Sequence, residues 1–372
     1  MQKLLLSLLI ILFSFRISFS QKFAVIGDFG MDNDAELSVA NLIKSWNPDF
    51  IISVGDNDYI YPNPSYMDKA IGKYFSDYIY PYKGDYGTGA TENKFFPCLG
   101  NHDVDRDSGE AYFDYFTLPN NERYYDFEKG EIHFFVISSD STEKDGRTFN
   151  SVQGNWIKNK LENSSSKWNI VFFHEPPYSS LYGEKKDLQW PFKEWGADIV
   201  LTGHCHHYER LSNNGFTYII NGAGGVGLDP FTNVLPQSVF RYNKNYGAQF
   251  ISIVRDTLKF EFYSINNELI DKYLIVKPNE VGLTPNKNIL GLQNFPNPFK
   301  ETTTISFQLQ KRSKVTFELF DQTGKLFLKK ENSFEEGENF IYLKDLDLKA
   351  GPYYYRLLSK DETITKTCVL IK

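Results

Sequence analysis

Cysteine is scarce in this sequence. Cys98, Cys205 and Cys368 stand far apart in 372 residues and form no C-x-x-C pair. That excludes a disulfide framework and offers no thiolate zinc site. An excess of positive charge is also missing. Lys+Arg number 40 against 47 Asp+Glu, net −7, which argues against non-specific nucleic-acid binding as the main task. No apolar run is long enough to cross a bilayer: Leu4–Phe15 is the longest, Arg16 ends it, and a spanning helix needs about 20 residues. Apolar residues as such are not lacking. At 41% hydrophobic and 16% aromatic, the chain can bury a sizeable core and is not predominantly disordered.

Lys3, the apolar run and the small residues Ser18-Phe19-Ser20 read as a secretory signal peptide over residues 1–20, with cleavage before Gln21. No cysteine lies near that point to carry a lipid anchor. The charge balance changes near residue 290. Gln21–Asn294 carries 25 Lys+Arg and 36 Asp+Glu, net −11, whereas Phe295–Lys372 carries 13 and 11, net +2. A polar stretch with Pro, Gly and Asn separates them, so the expected organisation is a catalytic domain over 21–276, a linker over 277–293 and a second domain over 294–372.

In the first domain short apolar runs alternate with polar or helical segments. Phe23–Ile26, Phe50–Val54, Phe95–Leu99, Ile132–Ser138, Asn169–Phe173 and Asp198–Leu201 read as strands buried on both faces. Asp34–Ser45 and Val152–Leu161 read as helices between them, and Phe250–Arg255, Leu258–Ser264 and Leu269–Val276 as closing antiparallel strands. The class is α/β with layered sheets. The last 80 or so residues hold only short alternating segments separated by turns, the pattern of a small β-sandwich.

The informative residues stand directly after the apolar runs. All of these runs except Ile132–Ser138 lead in turn into Asp28-Phe29-Gly30, Gly55-Asp56-Asn57-Asp58-Tyr59, Gly100-Asn101-His102-Asp103, His174, and Gly203-His204-Cys205-His206. Strand C-terminal ends line the ligand crevice of α/β sheets. Histidine is also scarce. Of six, His102, His174, His204 and His206 sit at these ends, His207 adjoins them and only His133 lies elsewhere. Any one of them alone reads as structural. Together, Asp28, Asp56, Tyr59, Asn101, His174, His204 and His206 exceed what one tetrahedral ion needs. They suit two adjacent cations sharing a carboxylate, an arrangement that serves hydrolysis at phosphorus.

These five blocks resemble the metallophosphoesterases, and specifically the purple acid phosphatases, whose pattern is DxG, GDxxY, GNH[DE], VxxH and GHxH. The resemblance spans about residues 22 to 275 and implies an αββα sandwich. It implies a ferric ion on Asp28, Tyr59 and His206, a divalent Fe2+, Zn2+ or Mn2+ on Asn101, His174 and His204, and Asp56 bridging them. His102 would contact the substrate phosphate and protonate the leaving group. The chain looks like the short, tartrate-resistant type of that family, and in one respect it departs from those short members. They carry another active-site histidine soon after the VxxH block, whereas Glu175 to Gly183 contains none. Glu175, Tyr178 and His207 are the candidates to compensate. Asn221-Gly222-Ala223-Gly224-Gly225 resembles a family loop near the site. Eight tyrosines between Tyr59 and Tyr86 read as packing of a surface insertion, with a substrate-facing wall as the alternative.

The second domain carries Asn294-Phe295-Pro296-Asn297-Pro298-Phe299 and Ala350-Gly351-Pro352-Tyr353-Tyr354-Tyr355. It resembles the type A sorting domain of the type IX secretion system, an Ig-like β-sandwich. A carbohydrate-binding or spacer sandwich is the alternative. The combined expectation is a secreted or cell-surface bacterial acid phosphatase acting on phosphomonoesters. Its partners would be a phosphoester and the type IX machinery, with surface attachment after export left open and no nucleic acid. A phosphodiesterase or nucleotidase, or a catalytically silent surface-binding protein, are the rival readings.

Overall fold

The computed structural model describes residues 21–60, 63–105, 107–254, 256–277, 288–321, 323–360 and 362–371. The expected signal peptide, 1–20, lies outside these residues, as do residues 278–287 of the expected linker. The chain divides into two compact units, Met1–Pro278 and Asn279–Lys372.

In the first unit, β1 (Lys22–Ile26), β2 (Phe50–Ser53) and β3 (Phe95–Pro97) run parallel, with Ala24 opposite Ile51 and Ile52 opposite Phe96. After them come β4 (Tyr125–Lys129), β5 (Ile132–Val136), β6 (Trp168–Phe172), the short pair β7 (Tyr178–Ser179) and β8 (Gly183–Glu184), and β9 (Ile199–Thr202). The unit ends with β10 (Tyr208–Asn213), β11 (Phe216–Asn221), β12 (Ser238–Tyr242), β13 (Gly247–Val254), β14 (Thr257–Ser264) and β15 (Leu269–Val276). These form two sheets, ordered β15-β14-β13-β1-β2-β3 and β12-β10-β11-β9-β6-β5-β4. In the second sheet β5, β6, β9 and β11 are parallel.

Side chains alternate across a strand, and that period separates the layers. Phe23 and Phe50 stack at 4.8 Å, and each meets Phe134 of the other sheet edge-on, at 5.4 and 5.6 Å. Ile170 and Phe172 join this inter-sheet core. Their neighbours Phe135, Val171 and Phe173 face the opposite way and pack with Ile157 and Leu161 of helix Val152–Glu162. Helix Asp34–Ser45 puts Val39, Ala40 and Ile43 into the core of the first sheet. Both helices start at a side-chain cap, worth about 1 kcal/mol each: Glu36 N donates to Asn33 Oδ1 at 2.8 Å, and Gly154 N to Ser151 Oγ at 3.0 Å. The result is helix–sheet–sheet–helix.

The tyrosine-rich insertion packs around one buried carboxylate. Asp68 accepts from Tyr82 Oη at 2.6 Å, Tyr115 Oη at 2.9 Å and Asp85 N at 2.8 Å. Tyr74, Tyr78 and Tyr82 lie against the core, Tyr80 and Tyr86 face water, and Tyr61 is outside the described residues.

The second unit has β16 (Ile289–Phe295), β17 (Thr302–Leu309), β18 (Ser313–Asp321), β19 (Leu326–Phe334), β20 (Gly337–Lys344), β21 (Gly351–Leu358) and β22 (Thr363–Leu370). They form sheets β16-β17-β20 and β19-β18-β21-β22 around Ile305, Phe307, Phe317, Tyr355 and Leu357. β16 corrects the linker reading, which ran to residue 293. Ile289 and Leu292 are buried in this core, so the stretch pairs with β17 instead of spanning freely.

Candidate metal centre

The residues after β1, β2 and β3 come from one sheet and those after β6 and β9 from the other. Their strand ends meet. Asn101 Oδ1 lies 2.9 Å from His204 Nδ1 and 3.1 Å from His174 Nε2, and these two nitrogens are 3.2 Å apart. Tyr59 Oη lies 3.1 Å from Asp28 Oδ1 and 3.2 Å from His206 Nε2. Asp56 reaches both groups. Its Oδ2 is 3.3 Å from His174 Nε2, and Asp28, Asp56 and His206 offer atoms all within 4.8 Å of one another.

The donor set fits cations. Two atoms each about 2.1 Å from a shared ion stand about 3 Å apart, which is the spacing within each group. The tautomers agree. His174 Nδ1 faces the Val54 carbonyl at 2.9 Å and His206 Nδ1 the Gly227 carbonyl at 3.0 Å. Each Nδ1 must carry hydrogen, so a neutral ring turns its Nε2 lone pair into the cluster. The electrostatics also call for positive charge. Burial opposes a charged His174, yet Asp56 beside it pulls its pKa up to about 10. Burial, with His174 charged nearby, pushes His204 down to about 3. Burial raises Asp28 and Tyr59 well above their ordinary values, and for Tyr59 the neighbouring carboxylates add to it. Burial opposes the charge on Asp56, but His174 holds its carboxyl below the usual range. Phenolate ligation by Tyr59 therefore requires a cation to offset both burial and two carboxylates.

The surroundings permit no extra atoms. A Cβ on Gly100 would lie 2.1 Å from Asp56 Oδ1, and one on Gly222 would lie 2.0 Å from the Cys205 carbonyl and 3.0 Å from Asp28 Oδ2. The 221–225 loop and the residue after it brace the centre directly: Gly224 N donates to the Gly27 carbonyl at 3.0 Å and Val226 N to the Asp28 carbonyl at 3.1 Å.

Two supporting residues and one neighbouring ring do not stand out in the sequence. Buried Asp103 accepts from Asn57 N, Asp58 N, Asn57 Nδ2 and Gly100 N at 2.8–3.2 Å, joining the loops after β2 and β3. It occupies the variable acid position of the GNH[DE] block, the one signal that could have found it. Asp229 accepts from His206 N at 2.9 Å and lies in a loop without a motif. Tyr182 sets its ring 5.2 Å from that of His204.

His102 is exposed, and its ring lies 4.4 Å from that of Tyr59. The candidates for the missing histidine are engaged elsewhere. Glu175 pairs with Arg147 at 3.4 Å and with Lys185. Tyr178 accepts from Asn213 Nδ2 at 2.8 Å and packs on Tyr218. His207 is fully buried, 3.5 Å from Glu209 and against Phe231.

Residues 293–372 match the secretion system C-terminal sorting domain family. Purple acid phosphatase 15 of Arabidopsis thaliana is 28% identical over 241 residues, 56% of this chain and 44% of its own length. Acid phosphatase type 7 of Mus musculus is 26% identical over 316 residues, 70% of this chain and 69% of its own. The chain spans about half the length of the Arabidopsis relatives it matches. Among solved structures, purple acid phosphatase PPD1 from yellow lupin superposes with a TM-score of 0.55 at 17% identity, covering 70% of this chain and 54% of that one. GAP50, the anchor in the inner membrane complex of Plasmodium, gives 0.53 at 19%, covering 70% and 90%. Both likenesses concern the fold. Residues 21–208, half of the chain, match the calcineurin-like phosphoesterase family, and to that family the chain belongs.

Proposed function

We propose that the protein is a secreted acid phosphatase that hydrolyses phosphomonoesters at a dinuclear metal centre. The observation that carries this reading is the convergence of Asp28, Tyr59 and His206 in one group and Asn101, His174 and His204 in another, with Asp56 between them. The first group, with a carboxylate and a phenol, suits a hard ferric ion. The second, with two imidazoles and an amide, suits divalent Fe, Zn or Mn. When bound, the two cations would make water acidic enough to act as nucleophile at phosphorus and would offset charge on the phosphoryl oxygens.

The chain's own contributions are orientation and a proton. The Val54 and Gly227 carbonyls hold His174 and His206 in the ligating tautomer. The His102 N–H fixes Asp56 by donating to Oδ1 at 2.9 Å. The exposed His102 ring, beside Tyr59, is free to contact phosphate and to hand its proton to the departing alcohol oxygen. A silent binding protein has no physical reason to keep seven donors in this register.

The match of residues 293–372 to a sorting domain supports export through the type IX machinery, after the signal peptide of residues 1–20 has directed the first crossing. The product is either released or attached to the cell surface. Purified protein should contain two metal ions and hydrolyse p-nitrophenyl phosphate faster than bis(p-nitrophenyl) phosphate. Asp56→Asn should lose both metals and turnover together, because one carboxylate serves both sites. Full turnover with two metals retained in Asp56→Asn would refute the ligand assignment. A preference for the diester would replace the monoesterase reading by the phosphodiesterase one.

A further inference from the structure

Tyr182 is the last residue of the three-residue connection between β7 and β8. Its main chain is fixed on several sides. Tyr182 N donates to Ser179 Oγ at 2.9 Å, and the Leu181 carbonyl accepts from Thr232 Oγ1 at 3.2 Å. Ser180 N donates to buried Glu209 at 2.9 Å, and the Ser180 carbonyl accepts from Asn233 N at 2.9 Å. Gly183, at φ +80°, turns the chain back into the pair. The side chain, by contrast, is not packed away. Tyr182 is 57% exposed, whereas Tyr178 and Tyr218 nearby are each 6% exposed. Among the described residues no hydrogen bond holds its hydroxyl. One face is nevertheless committed: its ring centroid is 5.2 Å from that of His204, inclined at 41°.

A rigid turn that keeps a large aromatic more than half in water, beside a proposed metal ligand, contributes little to core stability. It does provide a flat apolar surface at the mouth of the site. His102 borders the Tyr59 group and Tyr182 borders the His204 group, so each group of ligands has its own exposed ring.

We propose that Tyr182 is a specificity-determining wall, stacking on the organic group of the phosphoester and favouring flat aromatic alcohols over small alkyl ones. The proposal rests on the phosphomonoesterase reading above. The full-length metal-loaded enzyme should be assayed with phenyl phosphate and ethyl phosphate, with inorganic phosphate as competitive inhibitor. Tyr182→Ala should raise KM for phenyl phosphate about five- to tenfold, the usual strength of one aromatic stack. KM for ethyl phosphate and Ki for inorganic phosphate, neither of which offers a ring, should move less than twofold. Tyr182→Phe should restore the phenyl phosphate KM. Equal changes for both esters, no change for either, or a Phe variant as poor as Ala would overturn the proposal, the last by assigning the effect to the hydroxyl. Wild-type protein that turns over no phosphoester would instead overturn the phosphatase reading, and this inference with it. Wild-type turnover with an unaltered phenyl-to-ethyl ratio in Tyr182→Ala would sink this inference alone.

Discussion

Replacing Asp103 by Asn changes one heavy atom of a residue outside the proposed ligand set, and yet it should disturb both metal sites. Oδ1 of Asp103 accepts from Asn57 N at 3.0 Å and Asp58 N at 3.2 Å. Oδ2 accepts from Asn57 Nδ2 at 2.9 Å and Gly100 N at 2.8 Å. Every one of these partners is a donor. Asn57 N also reaches Oδ2, at 3.2 Å, so an Asn with its NH2 in the Oδ1 position leaves Asp58 N without an acceptor, and one turned the other way strands both Asn57 Nδ2 and Gly100 N. The first orientation costs less, and at about 1–3 kcal/mol for its one stranded donor the loss centres on about 2 kcal/mol, or about one and a half decades in an equilibrium constant. The two loops it joins carry Asp56 and Tyr59 on one side and Asn101 on the other, so part of that loss should appear as weaker binding at both metal sites. The measurement is urea unfolding and metal titration at pH 8. There Asp103, pushed up to about 7 by burial and by Asp56, is ionised. An Asp103→Asn protein with the wild-type urea midpoint and wild-type affinity for both metals would refute the argument.

Tyr59→Phe should abolish the visible charge-transfer band expected of a phenolate on ferric iron; a purified wild-type protein with two metals, no iron and no colour would remove the ferric assignment. His102→Ala should keep its metals while kcat falls about 10²- to 10⁴-fold, with a smaller loss for p-nitrophenyl phosphate than for an alkyl ester, since a good leaving group needs less protonation. Equal losses on the two substrates would mean that His102 binds phosphate without protonating. A chain ending at Pro278 contains the whole first unit and every proposed ligand, so it should bind two metals and hydrolyse phosphomonoesters, yet remain in the periplasm of its native host. Its appearance in the medium would end the sorting assignment.

Much of the candidate site was legible because its proposed ligands come directly after apolar runs in the chain itself. A fully buried strand such as Phe50–Ser53 declares itself by composition, and the polar residue just past its end must have a partner at the sheet edge. The same logic fails at sheet edges. β4 and β12 flank the second sheet, Ser238–Tyr242 is largely half-exposed, and neither shows the continuous apolar run that marks the strands between them. The β7–β8 pair, two residues to a strand, is too short to have a period. The division of the five strand ends between two sheets was not visible either. It depends on which strands pair across long stretches of chain, and local pattern does not encode that. Asp229 and Tyr182 belong to the same class: each reaches its histidine only through the fold. The tyrosine-rich insertion was legible as packing, but not its centre, because Tyr115, which caps Asp68 with Tyr82, lies outside the cluster.

The candidate centre also shows why the proposed ligands sit beside glycines. Asp28, Asp56 and His204 all adopt the left-handed conformation, at φ of 58°, 53° and 68°, and each directly succeeds a glycine: Gly27, Gly55 and Gly203. A non-glycine residue held there costs about 1–3 kcal/mol, so the three together cost several kcal/mol. Replacing any of them by glycine would relieve that strain and delete a proposed donor, so a donor at these positions carries the strain itself. The flanking glycines have a different task. A Cβ on Gly55 would press on the His174 ring at 2.6 Å, and one on Gly203 on Asp28 Oδ2 at 2.6 Å, so each lets a strand end from one sheet close over a ligand from the other. The compensation comes from backbone donors aimed at the same side chains. His204 N reaches Asp28 Oδ2 at 2.9 Å, and His102 N reaches Asp56 Oδ1 at 2.9 Å. Each strained carboxylate is thus held by an N–H from another ligand segment, so its orientation is set before any cation arrives. A strained but pre-set site gives back less binding energy to reorganisation than a flexible one. On this account the strain is a cost of assembling two sheets around one centre, and it falls on folding, which the inter-sheet core supports, and not on metal capture.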